Sequence, residues 1–465
     1  MLRLAMGGVL ATVAAGALAV PNATEGARAA EGTPPNIVVI MTDDMRVDDL
    51  AALPKTMNLL AGANGAKYTN AFVSMPLCCP SRATFLTGQY AHNTGVWDNA
   101  GAHGGWEAFQ PLESRALPTW LDDTYSTVML GKYLNRYGWE SNPRHVPPGW
   151  DSWQALTGPS VWNYHDFDIN INGSVTHIKD GYQTLNFTRR AVTQIRTRVP
   201  RAEPMFMWLS LLAPHNGSAG VSVPAEPKYK GTSKVGRPGS PAFDEVEVGD
   251  KPPWIRSLPR LSNAAEEDVV RLRRQRRDAL KSVDDSVSQV VAALKAAREL
   301  NNTLIVFTTD NGFLLGEHRV DHNKQYPYEE SIGVPLLIRG PGVTPGLNRE
   351  PVLNVDLAAT IADAAGVEPG LPVDGMSLLD PIPSDRPLLL EHPKGWAMGN
   401  LPPYAGVRQG HWVYVDYGQT GELYDLADDP WQQVNRIGDP SLAQTRSDLA
   451  SVLDGLRNCA GDGCR

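Results

Sequence analysis

The sequence predicts an α/β fold: a mainly parallel sheet sandwiched by helices, with a smaller C-terminal α+β unit containing an antiparallel sheet. Three observations predict it. Short apolar runs without polar alternation recur as far as residue 338, the pattern of strands buried on both faces. Helical periodicity lies between them, and strands alternating with helices build parallel sheets. From residue 384 onward the pattern changes to short runs separated by turn residues.

The buried runs are 36–41, 125–130, 205–211, 304–308 and 334–338, all read as parallel strands. The clearest helix is 264–300. Glu266, Glu267 and Asp268 sit in its first turns, where acidic groups complement the helix dipole. Leu280, Val283, Val287, Val290 and Leu294 then recur at spacings of three and four, which marks one buried face. Residues 216–263 are rich in Pro, Gly and Ser and read as a long surface loop or insertion, of the kind that shapes binding sites. In the last unit, 387–391, 404–407, 412–417 and 422–426 read as short strands. Residues 440–457 read as a helix packed on them, with Pro440 tolerated at its start.

The chain has 465 residues, of which 42% are apolar, enough to bury a large core. Its net charge of −9 argues against bulk nucleic-acid binding, so any anion must be captured locally. Met1-Leu2-Arg3 precedes an Ala-rich apolar run, with small residues at Ala19 and at Ala27-Arg28-Ala29. Residues 1–29 therefore read as an export signal, which implies a secreted or extracytoplasmic protein. The run is too weakly apolar for stable membrane insertion. Cys459 and Cys464 flank a short flexible stretch and could close a disulfide in an oxidising compartment. Cys78 and Cys79 are adjacent, and neighbours rarely pair because the intervening peptide must distort.

Polar groups fall just past the ends of the expected strands. Asp43 and Asp44 follow the first, Lys132 the second, His215 the third, and Asp310 and Asn311 the fourth. That edge of an open α/β sheet is where ligands bind. Three carboxylates and an amide make a hard oxygen cage suited to Ca²⁺ or Mg²⁺ rather than zinc. Arg82, Lys132 and Lys324 add positive charge around it, which suits a substrate carrying sulfate or phosphate.

Cys78-Cys79-Pro80-Ser81-Arg82, continued by Leu86-Thr87-Gly88, resembles the signature of the sulfatases that depend on formylglycine. The resemblance extends over nearly the whole chain. It includes Asp43-Asp44, Gly131-Lys132-Tyr133-Leu134-Asn135, Ala213-Pro214-His215, Thr309-Asp310-Asn311-Gly312, Gly316-Glu317-His318 and Lys324. Together with Ser282-Val283-Asp284-Asp285, these motifs look most like the N-acetylglucosamine-6-sulfatase and extracellular heparan endosulfatase branch.

The resemblance implies an alkaline-phosphatase-like fold, with residues 30–383 as the catalytic domain and 384–465 as the C-terminal subdomain. It implies hydrolysis of a sulfate monoester to an alcohol and inorganic sulfate; sulfated glycans and aryl sulfates are the candidate substrates. In this family a separate formylglycine-generating enzyme oxidises the first cysteine, here Cys78. The aldehyde hydrates to a gem-diol, one hydroxyl of which attacks sulfur while the other later expels sulfate. One Ca²⁺ per chain is implied, held by Asp43, Asp44, the residue derived from Cys78, Asp310 and Asn311. Arg82 and Lys132 are expected to orient the diol, and Lys324 with His215 to bind sulfate or its bridging oxygen. Many arylsulfatases carry a histidine where this chain has Leu134. Its part falls either to Asn135 or to a histidine from elsewhere.

Two other functions fit the same residues: a phosphonate or phosphate monoester hydrolase on the same scaffold, and a non-catalytic polyanion-binding protein. The arginines between Arg271 and Arg277 read as a solvated helix face. Trp150, Trp153, Trp162 and Trp208 read as core or rim packing. His92, His318 and His322 could line the pocket and receive no role.

Overall fold

The computed structural model describes Met1 and residues 34–139, 142–199, 203–393 and 401–465. Beyond Met1, the expected export signal lies outside these residues. Among the described residues no helix is long and apolar enough to cross a membrane.

The strands are β1 (Asn36–Thr42), β2 (Ala66–Tyr68), β3 (Ala71–Phe72), β4 (Ser126–Gly131), β5 (Ser152–Leu156), β6 (Phe167–Ile171), β7 (Ser174–Ile178), β8 (Met205–Ser210), β9 (Thr303–Thr309), β10 (Leu336–Arg339), β11 (Gly346–Asn348), β12 (Val352–Leu353), β13 (Leu388–His392), β14 (Tyr404–Gln409), β15 (Trp412–Asp416) and β16 (Gly421–Asp425). Ten of them form one sheet of order β11-β2-β10-β9-β1-β8-β4-β5-β6-β7. Its centre, β9-β1-β8-β4-β5, is wholly parallel. These strands are buried throughout, which is why their sequences lack alternation.

One expectation is corrected. The run 334–338, read as parallel, becomes β10, which is antiparallel to both β9 and β2. A continuous apolar run reports burial on two faces, and β10 has that burial whichever way it points.

The two faces of β1 feed two cores. Ile37, Val39 and Met41 pack with residues of the helices Cys78–Thr87 and Asp356–Ala365. Val38 and Ile40 pack with the helices Gln183–Arg198 and Asn263–Ala296. The last of these is the long helix expected over 264–300. Ser262 caps it by accepting from the backbone N–H of Ala265 at 3.2 Å.

The segment 216–263 is less superficial than expected. It is largely irregular, with a short helix at Pro253–Arg256, yet it buries Val223, Phe243, Val248 and Ile255 together with Glu245 and Lys251. Its apolar residues stand singly among Pro and Gly, so no periodicity announced their burial.

At the C-terminus β13 to β16 form an antiparallel sheet, with the helix Ala443–Leu456 against it. Cys459 and Cys464 are disulfide-bonded. This sheet shares its core with Leu314, Tyr328 and Ile332 of the larger body. At the junction the buried Glu422 carboxylate accepts from Tyr328 (2.9 Å), Tyr417 (2.7 Å) and Tyr424 (2.6 Å).

The close approach of β4 to β8 depends on Gly131. Its φ is +104°, and a Cβ there would lie 1.9 Å from the Ser210 carbonyl oxygen. The next residue, Lys132, donates its backbone N–H to that same oxygen at 2.9 Å. Gly131→Ala is therefore expected to cost at least about 1–3 kcal/mol from backbone strain, with the clash adding to it. Denaturant unfolding should show the loss, and turnover should fall with it because Lys132 moves.

Candidate active site

The strand ends converge as the sequence predicts. Backbone hydrogen bonds lock the loops together just beyond the sheet: Asp310 N–H to Thr42 O at 3.2 Å, and Leu211 N–H to Met41 O at 2.8 Å. Asp43, Asp44, Lys132, Asp310 and Asn311 are all buried at this rim. Cys78 joins them as the first residue of its helix. Its Sγ lies 3.6 Å from Asp43 Oδ1, 3.9 Å from Asp44 Oδ1 and 2.7 Å from Lys324 Nζ. Burial, with Asp43 reinforcing it, pushes the Cys78 thiol up.

The cations divide the carboxylates between them. Lys132 Nζ bonds Asp43, and Lys324 Nζ bonds Asp44. Arg82 is fully buried one turn along the Cys78 helix. Its Nε donates to Asp310 Oδ2 (2.8 Å) and its Nη2 to Asp43 Oδ2 (3.2 Å). Its Nη1 donates to the Lys132 carbonyl (2.9 Å) and Ser210 Oγ (2.7 Å). Every guanidinium nitrogen is thus engaged, and Arg82 ties the carboxylates to the ends of β4 and β8. Burial alone would raise the Asp43 carboxyl, but Lys132 and Arg82 beside it hold Asp43 below the usual carboxylate range. Asp44 is likewise held low by Lys324, which acts against burial.

His215 Nδ1 lies 2.8 Å from the Asn216 carbonyl, an acceptor only, so Nδ1 carries the proton. Nε2 then offers a lone pair, 3.6 Å from Asp44 Oδ2. Burial pushes His215 down despite Asp43 and Asp44, which favours this neutral form. Trp162 stacks on the ring at 4.5 Å and lies under Lys132 Nζ at 4.4 Å. It is rim packing as expected, set between two of the strand-end residues. Trp153 and Trp208 are core residues.

Asp43, Asp44, Cys78 and His215 offer ligand atoms all within 4.8 Å of one another. Asn311 Nδ2 donates to Asp44 Oδ1 at 2.7 Å, while Asn311 Oδ1 is buried without a hydrogen-bond partner. An orphaned amide oxygen beside two carboxylates fits a hard divalent cation. Asp310 is more heavily committed: Oδ1 accepts from the Asp44 N–H at 3.0 Å and Oδ2 from Arg82. Sulfur is the one soft atom in this set.

His215 is the histidine brought to the cluster among the described residues. His92 lies instead between Glu391 (2.9 Å) and the Cys459 carbonyl (2.9 Å). His318 is buried against Glu245 (2.8 Å) and Tyr328, and burial pushes it down to about 3. His322 pairs locally with Asp321. Asn135 is buried, and its Oδ1 lacks a partner.

The arginine run corrects a second expectation. Arg273 and Arg276 are buried, and Arg276 is fully so. Arg276 Nη2 donates to the Asp44 carbonyl, its Nη1 to the Pro214 carbonyl at 3.3 Å, and its guanidinium lies 4.7 Å over Phe313. One residue of the long helix therefore holds both the Asp44 loop and the His215 loop. Asp44 itself sits at φ +63°, a left-handed conformation that Asp tolerates. The signal was available: Arg276 falls on the buried stripe Val269, Leu272, Leu280, Val283, where a leucine belongs.

Comparison with known proteins decides the family. The model described as "Sulfatase" matches residues 35–367, more than half the chain. The chain belongs to the sulfatase family. It is a sulfuric ester hydrolase with the alkaline-phosphatase-like fold. A second model, "N-sulphoglucosamine sulphohydrolase, C-terminal", matches residues 316–459. An arylsulfatase of Volvox carteri is 32% identical, covering 92% of this sulfatase and 75% of the relative. The N-acetylglucosamine-6-sulfatase of Homo sapiens is 34% identical over 74% of this chain and 64% of its own. A solved structure of an enzyme in complex with its substrate D-glucosamine-2-N,6-O-disulfate shares the fold. Its TM-score is 0.77 at 23% identity, covering 91% of this chain and 97% of that one.

Arg276→Met is expected to leave the Asp44 and Pro214 carbonyls without their donor, with Asp49 still held by Arg277 at 3.2 Å, and to cost about 1–3 kcal/mol, read by denaturant unfolding. Arg276→Lys keeps the charge but lacks the fork that spans the two carbonyls. It should retain more stability while losing roughly 10²-fold in kcat through misplacement of Asp44 and His215. Full activity in both variants would exclude the positioning role.

Proposed function

We propose that this sulfatase removes a 6-O-sulfate from a hexosamine or a related sulfated glycan outside the cytoplasm. In this reading residue 78 acts as formylglycine, and one Ca²⁺ is held by Asp43, Asp44, residue 78, Asp310 and Asn311. Residues 30–383 form the catalytic domain and 384–465 the substrate-shaping subdomain. The observation that carries the reading is one soft atom, Cys78 Sγ, inside a cluster of hard oxygens that includes the orphaned Asn311 Oδ1. Oxidation by a formylglycine-generating enzyme would place oxygen at that point and complete the cage.

When bound, the ion supplies charge neutralisation for the sulfate and the hydrated aldehyde supplies a hydroxyl nucleophile. The chain's own residues do the rest. Lys324, 2.7 Å from the sulfur of residue 78, holds a proton beside the reacting centre and can give it to the leaving alcohol. His215, with an open Nε2, is the group that accepts a proton. Lys132 balances Asp43 across the site, and Arg82 keeps the carboxylates in register.

The glycan assignment is supported by the 34% identity to N-acetylglucosamine-6-sulfatase. It is also supported by a cavity of about 760 Å³ beside the Lys324 loop. That cavity is lined by Trp97, His103, His392, Tyr404 and Arg457, aromatic and polar groups suited to a sugar. Gln325 links the two: its Oε1 lies 3.2 Å from His392 Nε2, and its carbonyl accepts from Tyr404 Oη at 2.8 Å.

Peptide mass spectrometry of active protein is expected to show sulfur lost from Cys78 and retained at Cys79, and Cys78→Ala should be inactive. An active Cys78→Ala enzyme would sink the mechanism. Chelation should abolish turnover, with Ca²⁺ restoring it. Asp310→Ala should weaken Ca²⁺ binding by calorimetry; restoration by zinc alone contradicts the hard-oxygen site. Lys132→Ala and Lys324→Ala are expected to fold yet lose roughly 10²–10³-fold in kcat. A site that hydrogen-bonds sugar hydroxyls should favour sulfated N-acetylglucosamine over p-nitrophenyl sulfate in kcat/KM, by up to roughly 10⁴-fold. Equal efficiency on the aryl ester would favour a broad arylsulfatase, and better turnover of a matched phosphate ester the phosphomonoesterase alternative.

A further inference from the structure

The arginine run of the long helix divides by helical geometry. Arg273, Arg276 and Arg277 lie three and four residues apart and turn inward, onto Asp48, Asp49 and the Asp44 carbonyl. Arg271 and Arg274 lie on another face and are exposed. There the helix and the segment 222–237 border an open groove of about 1080 Å³.

The groove is locally basic in a chain of net charge −9. Its cations are Lys230, Lys234, Arg237, Arg271 and Arg274, all exposed. Arg271 pairs with Asp268 at 2.8 Å and Arg237 lies 3.9 Å from Glu266, which leaves Lys230, Lys234 and Arg274 as the groove's cations without an acidic partner among the described residues. Its acids are Glu266, Glu267 and Asp278, and the Asp278 carboxylate is turned into the segment's own backbone. It accepts from the backbone N–H groups of Gly231 (2.6 Å) and Ser233 (2.7 Å) and from Thr232 Oγ1 (3.1 Å). Arg274 uses its Nε on the Val235 carbonyl at 2.8 Å, an anchor that leaves the fork's Nη groups for a ligand. Val223, Pro224 and Val270 supply apolar surface between the charges.

The groove shares a wall with the active site. Gln275 Oε1 accepts from the Val223 N–H at 3.1 Å, and its neighbour Arg276 holds Asp44 and Pro214. The chain runs from His215 directly into the groove's first strip at Ser222.

We propose that this groove is an accessory binding surface for a sulfated polysaccharide, gripping part of the chain remote from the ester being cut. The inference rests on the sulfated-glycan reading above. Guanidinium forks suit sulfate oxygens, and a local basic field captures polyanions that the acidic molecule otherwise repels. A second point of attachment raises the effective concentration of sulfate esters at the active site without adding a contact there.

The test uses full-length protein, heparin as the polyanion, and a variant combining Lys230→Glu, Lys234→Glu and Arg271→Glu. Wild-type protein should be retained on immobilised heparin at low salt and the variant should not; Glu267→Lys should elute at higher salt than wild type. For heparin fragments of increasing length, kcat/KM should rise with length in wild type. The triple variant should lose roughly tenfold on the longest, with turnover of monosaccharide glucosamine 6-sulfate unchanged. Wild type that ignores heparin, a triple variant retained equally well, or a parallel fall in monosaccharide turnover would each overturn the proposal. If no sugar sulfate is turned over but retention still follows the substitutions, the substrate reading falls and the groove assignment stands.

Discussion

Asp43 and Asp44 lie side by side beyond the central strand, 0% and 3% exposed. Two adjacent carboxylates removed from water are very costly unless cations and hydrogen bonds surround them. Much of the architecture meets that demand. Lys132 arrives from β4, Lys324 from the loop after β9, Arg82 from the Cys78 helix, and Arg276 from the long helix. Each side chain that neutralises the pair also ties its own element to the rim. Electrostatic balance and the assembly of the active site are therefore one requirement.

The same arrangement separates residues that face Cys78 from those that hold the others still. Lys324 and His215 keep free valence toward Cys78: one carries a proton, the other a lone pair. Arg82 and Arg276 point at carbonyls and carboxylates with most of their donors used. A further clamp works the same way. Arg46 Nη2 donates to Glu317 Oε1 at 2.7 Å and its Nη1 to the Phe313 carbonyl at 2.6 Å. It thereby binds the loop after β1 to the segment that leads to Lys324.

Past that segment, the C-terminal sheet reaches the site indirectly. Tyr404 and His392 close on Gln325, next to Lys324, while Glu422 gathers three tyrosine hydroxyls at the junction. These contacts fasten the smaller sheet to the segment that carries Lys324. They also explain why its core is continuous with Tyr328 and Ile332 of the larger body.

The sequence by itself determined four of the five central parallel strands, all but β5, together with the long helix, the C-terminal sheet and the residues at the strand ends. Burial on two faces writes unbroken apolar runs, and a strand-end residue needs only its neighbours to be located. It also determined the Cys78 motif, because a short signature is local. Tertiary structure alone decided the direction of β10, since an apolar run carries no polarity. It decided that Arg276 is buried rather than solvated, because the carbonyls that accept from it lie more than sixty residues away. It decided too that His215 carries its proton on Nδ1, which follows from the single carbonyl of Asn216 facing it. Direction, partnership and protonation are properties of contacts between distant segments, and no local pattern in the chain records them.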